Sequence, residues 1–488
     1  AAYETCRWAT PKNLKVVLVD KAALDRSGAV SMGLSAINTY LGLNAGENTV
    51  EDYVKYVRGD LMGITREDIV YDIGRHVDDS VHLFDEWGLP IWKAEGDEGK
   101  KLGEGAKCTR SGRWQAMISG ESYKVIVAEA AKKALEYNRE KTGMKENLYE
   151  RVFITRLILD EKEDNRISGA IGISVRENQC YLFKANAILN ACGGGVNTYR
   201  PRSTDEGMGR TWYPAWNSSS TTTMGVQVGA ELTLMENVFV PTRFKDGYGP
   251  VGTFFLHLKC KATNGLNENY IKRDTIAQYA PYCDLVPVPT CLRNHQMFEE
   301  IKNGRGPILM HTAEPILAMR EKDKKKAKRL ENDAWEDFLD MTVAQAGVWA
   351  SNNIAPEERP SEMIPTEPYF IGSHAACSGF WVSGPSDVIE AVGAPKEWDW
   401  GYNRMTTVKG LFTAGDGVGA SGHKFSSGSH ADGRIAGKSM VAFVLDNEGH
   451  KPNIDTPAKE FAAELYLPFE IFQKHRNYST AEDINPNY

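Results

Sequence analysis

Three short apolar runs that end in glycine or in an acidic residue place the strongest limit on the fold. Val16–Asp20 closes on a carboxylate, Tyr181–Ala191 leads into a triple glycine, and Gly410–Asp416 closes on Ala-Gly-Asp. In parallel α/β sheets, such strand ends let the backbone approach a phosphate and let a carboxylate bond ribose hydroxyls. The pattern predicts a Rossmann-like sheet, although Val16–Asp20 taken alone could equally be any buried strand.

The order of these strand ends favours FAD over NAD as the bound dinucleotide. Flavoproteins with two dinucleotide folds use three such approaches in this order. Ser426 and Ser427, followed by a helix predicted over Ala431–Phe443, add a helix N-terminus that could face the cofactor. The ribose carboxylate follows the first glycine loop by about 20 residues. We therefore expect that loop to lie before Ala1, outside this sequence.

Composition excludes several other classes of function. The chain has 488 residues, of which 42% are hydrophobic, so more than one domain is expected. A net charge of −8 argues against nucleic acid as the main partner. No membrane span and no signal peptide are predicted. The eight cysteines lack CxxC spacing, which argues against a metal site, an iron–sulfur site or a disulfide framework and favours a cytoplasmic protein.

Helical periodicity and changes of texture indicate the domain organisation. A helix is predicted over 65–88, opened by a capping box of Thr65 and Asp68, and a second over 121–141. Strands are predicted at 152–159 and 167–175. From about residue 241 to 370 the strand signals give way to loops and to a Lys-rich helix at 320–350. The pattern predicts one nucleotide-binding domain that is interrupted by an inserted domain.

The segment Asp25–Asn38 resembles a segment of the succinate dehydrogenase and fumarate reductase flavoprotein superfamily. There, Ser-His-Thr precedes a glycine-rich run, and the His is bonded covalently to the flavin in many respiratory members. Here Ser27 is retained and Gly28 stands at the His position, which implies non-covalent FAD. Val240 likewise replaces the substrate-binding His of the dicarboxylate enzymes, which argues against succinate or fumarate as substrate.

Longer motifs, spread over essentially the whole chain, resemble the adenylylsulfate reductase alpha-subunit family. They are RSGAV (26–30), GLSAINTY (33–40), GRWQ (112–115), SGESYK (119–124), RFKDGYGPVG (243–252), TCLRNH (290–295), GSHA (372–375), WGYNRMTTV (400–408) and AGDGVG (414–419). The resemblance implies an α/β fold in which an FAD-binding Rossmann-like domain (1–240 and 371–448) is interrupted by an α+β capping domain (241–370). Residues 449–488 would begin a C-terminal helical region.

The family's reaction is the reversible two-electron reduction of adenylylsulfate to sulfite and AMP, with sulfur held as an adduct at flavin N5. The resemblance implies that Arg243 and His374 hold the sulfur group, that Asn38 and Trp212 lie at the flavin face, and that Glu121 lies at the substrate pocket. A planar multi-donor cation suits a tetrahedral oxyanion. The Gly-Ser-His turn could instead be structural, and Trp212 could be a packing aromatic.

The resemblance also implies a nucleotide subsite and the flavin contacts. Arg293 would bind the nucleotide, and Phe255 and Leu256 would sandwich the adenine, although both could simply be core. His423 could touch the flavin phosphates or lie at the surface. The expected FAD contacts are Asp20, Lys21, Ser27, Gly28, Gly33, Ser35, Ala191, Gly193, Gly194, Gly415, Asp416, Ser426 and Ser427.

An electron donor is the last implication of the resemblance. The family works with a ferredoxin-like iron–sulfur beta subunit that carries two [4Fe–4S] clusters, and this chain has no cluster motif of its own. Two alternatives stay open at this point. One is a fumarate reductase, succinate dehydrogenase or aspartate oxidase flavoprotein on the same scaffold, and the other is an inactive, flavin-free fragment.

Overall fold

The computed structural model describes most of residues 1–475. The residues outside it are 33, 35, 175, 196–216, 236–241, 246–250, 252–253, 256–257, 273, 282–287, 329–345, 365–376 and 476–488, together with the side chains of 32, 272, 274, 275, 291 and 392.

Helices and short strands alternate along the described residues. The α-helices are Ala2–Ala9, Val50–Asp60, Glu67–Glu86, Tyr123–Thr142, Ser220–Gln227, Thr290–Lys302, Ala313–Lys322, Ser386–Val392, Phe425–Asp446 and Ala458–His475. The 3-10 turns are Thr10–Lys12, Leu24–Arg26, Ala29–Met32, Leu43–Ala45, Leu102–Glu104, Tyr270–Lys272, Asp274–Tyr279, Lys396–Trp398 and Gly415–Gly417. The strands are Leu18–Asp20, Ala36–Ile37, Arg110–Gly112, Gln115–Met117, Leu148–Glu150, Phe153–Leu159, Ile167–Ser174, Gln179–Lys184, Ile188–Asn190, Leu232–Thr233, Arg243–Phe244, Lys261–Thr263, Ile308–His311, Ser361–Ile364, Gly379–Phe380 and Leu411–Thr413.

The helix Glu67–Glu86 confirms the predicted apolar stripe but not the predicted cap. The stripe is fully buried and consists of Ile69, Ile73, Val77, Val81 and Phe84. Arg66 holds the N-cap position and makes no side-chain cap. The hydroxyl of Thr65 donates instead to the carbonyl of Ala420 at 2.7 Å. The capping-box prediction is therefore wrong, because a contact from far along the chain takes the hydroxyl.

Two parallel strand pairs place the predicted nucleotide-binding strand ends. Leu18–Asp20 pairs with Leu148–Glu150, and Ile188–Asn190 pairs with Leu411–Thr413. The carboxyl ends of parallel neighbours meet at the same edge of a sheet. The glycine segments that follow Asn190 and Thr413 are therefore adjacent.

The predicted strand 181–191 is two strands rather than one. Gln179–Lys184 closes an antiparallel sheet with Phe153–Leu159 and Ile167–Ser174, and Ile188–Asn190 then joins the parallel pair. Apolar residues recur on both sides of Lys184 and Asn186, so hydrophobicity alone did not locate the break between the two strands.

A separate core lies beneath a four-stranded antiparallel sheet in the predicted insertion. The strand order is Arg243–Phe244, Ser361–Ile364, Ile308–His311 and Lys261–Thr263. Phe244, Phe254, Met297, Met310 and Met363 are among the side chains that fill this second core. The arrangement confirms an α+β unit inside the chain, whereas the boundaries 241 and 370 stay a prediction.

The Lys-rich helix predicted over 320–350 begins earlier and breaks at Asp323. The helix Ala313–Lys322 ends there, and Asp323 adopts an extended backbone conformation with φ −157°. Its carboxylate accepts a hydrogen bond from the backbone N–H of Lys326 at 3.0 Å, which caps the next helical turn. The helix prediction is therefore wrong at this residue, because the aspartate supplies a new N-cap in mid-run.

The first core is the apolar interior that includes Ile69, Ile73, Val77, Leu411 and Ala431. A buried ion network fixes the long helix Phe425–Asp446 against it. Arg404 is 0% exposed and bonds Asp432 at 2.8 Å on that helix and Asp72 at 3.0 Å on the helix Glu67–Glu86. The amide of Asn403 also donates to Asp72 at 2.9 Å. Removing one member would leave buried charges without compensation, which is costly. Among the described helices, none is both long enough and apolar enough to cross a membrane.

Candidate active site

Asp20 ends its strand with a carboxylate whose geometry suits a ribose. Oδ1 accepts a hydrogen bond from the backbone N–H of Ala22 at 2.8 Å, and Oδ2 accepts one from the hydroxyl of Ser27 at 2.7 Å. Each carboxylate oxygen can accept a further hydrogen bond. The half-buried carboxylate is therefore oriented by Ser27 while it keeps acceptor capacity for sugar hydroxyls.

Two glycines leave open space beside their backbones. Gly28 has φ +76°, and a Cβ there would meet no atom within 4 Å. Gly193 has φ +82°, and its nearest neighbour would be Asn217 at 3.9 Å. By contrast, a Cβ at Gly417 would collide with the hydroxyl of Thr413. The first two positions fit a backbone that a cofactor approaches, whereas Gly417 is required by the protein's own packing.

Cys192 connects the first glycine turn with the acid-ended strand. Its side chain has exposed surface, yet burial raises the pKa of its thiol to about 11. The charges of Lys21 and Asp20 also reach this thiol and shift its pKa in opposite directions. The acid-ended strand and the first glycine turn therefore lie close together, as the sequence predicts. These strand ends form the candidate dinucleotide site.

Lys124 is a cation near Asp20 that the sequence did not single out. Burial lowers the pKa of its ammonium group, while the carboxylates of Asp20 and Asp25 act in the opposite direction. The residue lies in the first turn of the helix Tyr123–Thr142. Its sequence signal was its place at the end of the SGESYK motif, but only the fold shows that it approaches Asp20.

The hydroxyls of Ser426 and Ser427 form hydrogen bonds within this chain. Ser427 donates to the carbonyl of Thr39 at 2.7 Å, and Ser426 bonds the hydroxyl of the buried Tyr123. Thr39 follows directly after Asn38, which is half-buried. The start of the helix Phe425–Asp446 therefore fixes the segment that carries the predicted flavin-face residue. This helix begins six residues earlier than the sequence predicts.

Asp416 lies at the third predicted approach, in the turn Gly415–Gly417. It is half-buried, and its charge acts on Lys424, whose pKa is lowered by burial. Lys424 is 0% exposed and donates to the carbonyl of Val418 at 2.7 Å. The buried ammonium group of Lys424 therefore stabilises the backbone that follows the glycine turn.

Arg243 and Arg293, predicted at the substrate, lie on neighbouring elements of the second core. Arg243 is 2% exposed, and its guanidinium donates to the carbonyl of Thr242 at 3.0 Å. The hydroxyl of Thr242 lies 3.5 Å from the Oδ1 atom of Asn294, the residue after Arg293. The Nε of Arg293 donates to the carbonyl of Val288 at 2.9 Å. The two guanidinium-bearing segments are therefore brought side by side.

The remaining predicted residues fall into four groups. Phe255 is half-buried and packs against the second core, so the core interpretation and the adenine interpretation are compatible with its position. Glu121 is exposed in the turn before the helix Tyr123–Thr142, and Ala191 is exposed beside Cys192. Gly194 lies half-buried in the glycine turn. Gly33, Ser35, Trp212, Leu256 and His374 lie outside the described residues.

His423 is neither a surface residue nor an isolated one. It is 3% exposed, so the surface interpretation is wrong, and its Nε2 lies 2.7 Å from Oδ2 of Asp60. Asp60 also contacts Thr290, the first residue of the helix that carries Arg293. No local pattern indicates this contact, because Asp60 and His423 are 363 residues apart in sequence. In the part of the chain that the structure describes, no group of three metal-ligating side chains forms a metal site.

Comparison with known proteins agrees with this geometry. The FAD binding domain family model matches residues 5–250. The chain is 54% identical over 508 aligned residues to the adenylylsulfate reductase alpha subunit of Megalodesulfovibrio gigas, covering 100% of this chain and 74% of that one. The chain belongs to the adenylylsulfate reductase alpha-subunit family.

Solved structures place the fold in the same family. A structure of adenosine-5-phosphosulfate reductase in complex with sulfite, as a covalent adduct, is 50% identical with a TM-score of 0.88, over 100% of this chain and 74% of the other. Adenylylsulfate reductase from Archaeoglobus fulgidus matches with the same values. Quinol fumarate reductase from E. coli is 15% identical with a TM-score of 0.62, over 96% of this chain and 72% of the other, which shows a shared fold only.

Proposed function

We propose that this chain is the flavin subunit of a dissimilatory adenylylsulfate reductase. It would catalyse adenylylsulfate plus two electrons and two protons to sulfite and AMP, and the reverse. The single observation that carries the proposal is 54% identity over the whole chain to an adenylylsulfate reductase alpha subunit. A relative solved with sulfite as a covalent adduct supports the sulfur chemistry.

The residues around these strand ends fit FAD. Asp20 would accept hydrogen bonds from the ribose hydroxyls, with Ser27 holding the carboxylate. The open backbones of Gly28 and Gly193 would let the cofactor approach closely. Lys124 would place a positive charge beside the anionic part of the cofactor. When bound, FAD supplies the two-electron chemistry, and the protein binds, orients and neutralises charge.

Arg243 carries the protein's part in sulfur recognition. Its guanidinium is buried and anchored through the carbonyl of Thr242, so it is held in place before substrate arrives. A preorganised cation in a site with little water stabilises developing oxyanion charge strongly. Arg293, on the adjoining helix, would bind the nucleotide portion. His374 would then donate a hydrogen bond or a proton to the sulfur group.

Sulfite titration of the oxidised holoprotein tests the proposal directly. We expect sulfite alone to bleach the main visible flavin band and AMP to bind the same protein. We also expect adenylylsulfate, but not fumarate, to oxidise the reduced enzyme. An unchanged flavin band at saturating sulfite, combined with turnover of fumarate, would instead identify a dicarboxylate enzyme on this fold.

The flavin is expected to be held without a covalent bond. Gly28, at the position of the linking His in related respiratory enzymes, has no side chain and stands beside open space. Acid precipitation of the holoprotein should therefore release all yellow flavin into the supernatant. Flavin that remained with the precipitated polypeptide would contradict the assignment.

A ferredoxin-like iron–sulfur beta subunit with two [4Fe–4S] clusters is the proposed electron donor. The name of the relative, an alpha subunit, supports a partner chain. The proposed compartment is the cytoplasm. The cysteines Cys6, Cys108, Cys180, Cys192, Cys260 and Cys377 carry free thiols, which suits a reducing environment.

A further inference from the structure

A buried carboxylate–imidazole pair joins the two cores beside the helix that carries Arg293. Asp60, the last residue of the helix Val50–Asp60, is 6% exposed. Its Oδ2 lies 2.7 Å from Nε2 of His423. Its Oδ1 accepts two hydrogen bonds from Thr290, from the backbone N–H at 2.7 Å and from the hydroxyl at 3.0 Å. The carboxylate of Asp60 thus contacts residues of both cores, and this contact is called the junction below.

On the second core, Asp60 caps a helix that has no cap of its own. The helix Thr290–Lys302 begins after Pro289, which provides no side-chain cap. The first N–H groups of a helix need an acceptor from elsewhere, and Asp60 provides one from the other core. Arg293 lies in this first turn, and its Nε bonds the carbonyl of Val288, just before the helix. The position of Arg293 therefore depends on how this helix begins.

On the first core, the same pair reaches the segment predicted at the flavin face. The backbone carbonyl of His423 accepts a hydrogen bond from Tyr53 at 2.8 Å and one from the hydroxyl of Thr39 at 3.3 Å. Thr39 is the neighbour of Asn38. The ring of Tyr56 packs 5.2 Å from the His423 ring, and the charge of Arg293 acts on the Tyr56 hydroxyl.

The carboxylate is held in its charged form. Burial opposes ionisation of Asp60, but the hydrogen bond and charge of His423, followed by the two bonds from Thr290, lower its pKa below the ordinary value. A charged acceptor makes stronger hydrogen bonds than a neutral one. The junction is therefore tied by charge-assisted bonds rather than by apolar contact alone.

We propose that Asp60 and His423 are positioning residues for the nucleotide half of the substrate. They fix the first turn of the helix Thr290–Lys302, and with it Arg293, relative to the flavin-face segment. This inference rests on the proposed function. A purely structural tie would affect stability alone, whereas a positioning pair affects the nucleotide site more than the sulfur site.

The test compares AMP binding with sulfite binding in the purified holoenzyme. Asp60→Ala is expected to raise the AMP dissociation constant about tenfold, as expected for the loss of charge-assisted bonds, and to leave the sulfite bleaching titration unchanged. Asp60→Asn, which can still cap the helix, should recover part of the affinity. If Asp60→Ala does not accumulate as folded protein, Thr290→Val replaces it in the test. This milder change removes only the hydroxyl contact to Asp60 and should weaken AMP binding about threefold.

Asp85→Ala is the matched control. Asp85 is 5% exposed and accepts hydrogen bonds from Lys93 at 2.7 Å and from the N–H of Leu102 at 2.9 Å, away from Arg293. It should lower the melting temperature and leave the AMP dissociation constant unchanged.

A double-mutant comparison completes the test. In an Arg293→Ala background, Asp60→Ala should add less than about a twofold further loss of AMP affinity, because both changes remove the same contact. The inference would be overturned if Asp60→Ala weakened AMP and sulfite binding equally, or if it left AMP affinity normal. It would also be overturned if the losses of AMP affinity in Arg293→Ala and Asp60→Ala were additive in the double variant. If wild-type protein bound neither AMP nor sulfite, the proposed function itself would fail.

Discussion

At the scale of single residues, the charged groups of the proposed site are held in place by their neighbours before any ligand binds. Arg243 is 2% exposed, and Asp20 has its carboxylate oriented by Ser27. A charge that needs no reorganisation during the reaction stabilises a transition state more than one that must move. The residues that matter most are therefore those whose neighbours fix their direction.

Substitution of Arg243 tests this argument. Arg243→Ala is expected to lower kcat/KM by about 10²–10³, in line with the loss of one oxyanion donor. Arg243→Lys should recover only part, because an ammonium cannot make the two-pronged contact of a guanidinium. The measurement is steady-state reduction of adenylylsulfate. Lys245→Ala, an exposed cation two residues further on that pairs with Glu362, is the control and should keep full activity. Full activity in Arg243→Ala would move the anion site elsewhere.

The sequence predicts some of these residues and not others, for a physical reason. Asp20 and the glycine turns can be predicted from the sequence because strand, turn and acid follow one another within a few residues. Asp60 and His423 are not, because their 2.7 Å contact joins helices and loops 363 residues apart. Arg243 was identified only through resemblance, since no local pattern distinguishes it from any other buried arginine.

At the scale of elements, boundaries depend on contacts from outside each element. The helix predicted to open with Thr65 begins two residues later, since the Thr65 hydroxyl bonds Ala420. The hairpin between Phe153–Leu159 and Ile167–Ser174 is organised by Asp160. Its carboxylate accepts hydrogen bonds from the N–H of Lys162 at 2.9 Å and the hydroxyl of Ser168 at 2.6 Å. The N–H of Asn453 donates to it at 2.9 Å.

Asp160→Asn should expose the pH dependence of this hairpin. Burial opposes the charge, but Ser168 and the N–H donors outweigh it and lower the pKa from its ordinary 3.8. A lowered folded-state pKa adds stability above the unfolded value, and that stability is lost as pH falls toward the folded value. Asp160→Asn should therefore lower the free energy of unfolding by about 2 kcal/mol at pH 7. The difference in unfolding free energy between the variant and wild type should become smaller below about pH 4.

Urea denaturation followed by circular dichroism measures this difference at each pH. Asp164→Asn, an exposed aspartate in the same turn, is the control and should change little. If the difference in unfolding free energy between Asp160→Asn and wild type stayed constant down to the acid transition, the charge of Asp160 would not be the cause of the stabilisation.

At the scale of the whole molecule, long-range contacts join two cores, and the proposed source of electrons is a partner chain. The eight cysteines lack the spacing of a cluster-binding motif, and the first core and the second core each have their own apolar interior. The inserted α+β unit could be predicted from the change of texture near residue 241. How the two cores meet could not, because the contacts that join them are long-range.

Purification from the native source tests the proposed partner. Under mild conditions, we expect a second polypeptide, iron and acid-labile sulfide to accompany this chain, held by an interface beyond ~2,000 Å² as in permanent complexes. A pure, iron-free chain that reduced adenylylsulfate at full rate with a one-electron donor would show that the partner is unnecessary.

The buried network around Arg404 has a consequence for synthesis on the ribosome. Asp72 emerges early, but the amide of Asn403 that bonds it lies 331 residues later, next to Arg404. At 5–20 residues per second, that interval is roughly 20 to 60 s. During it, Asp72 has Arg75 on its own helix as a cationic partner at 2.7 Å but lacks Arg404 and Asn403. The network around Arg404 can therefore be completed only after the inserted unit has been made, so the insertion has time to fold first.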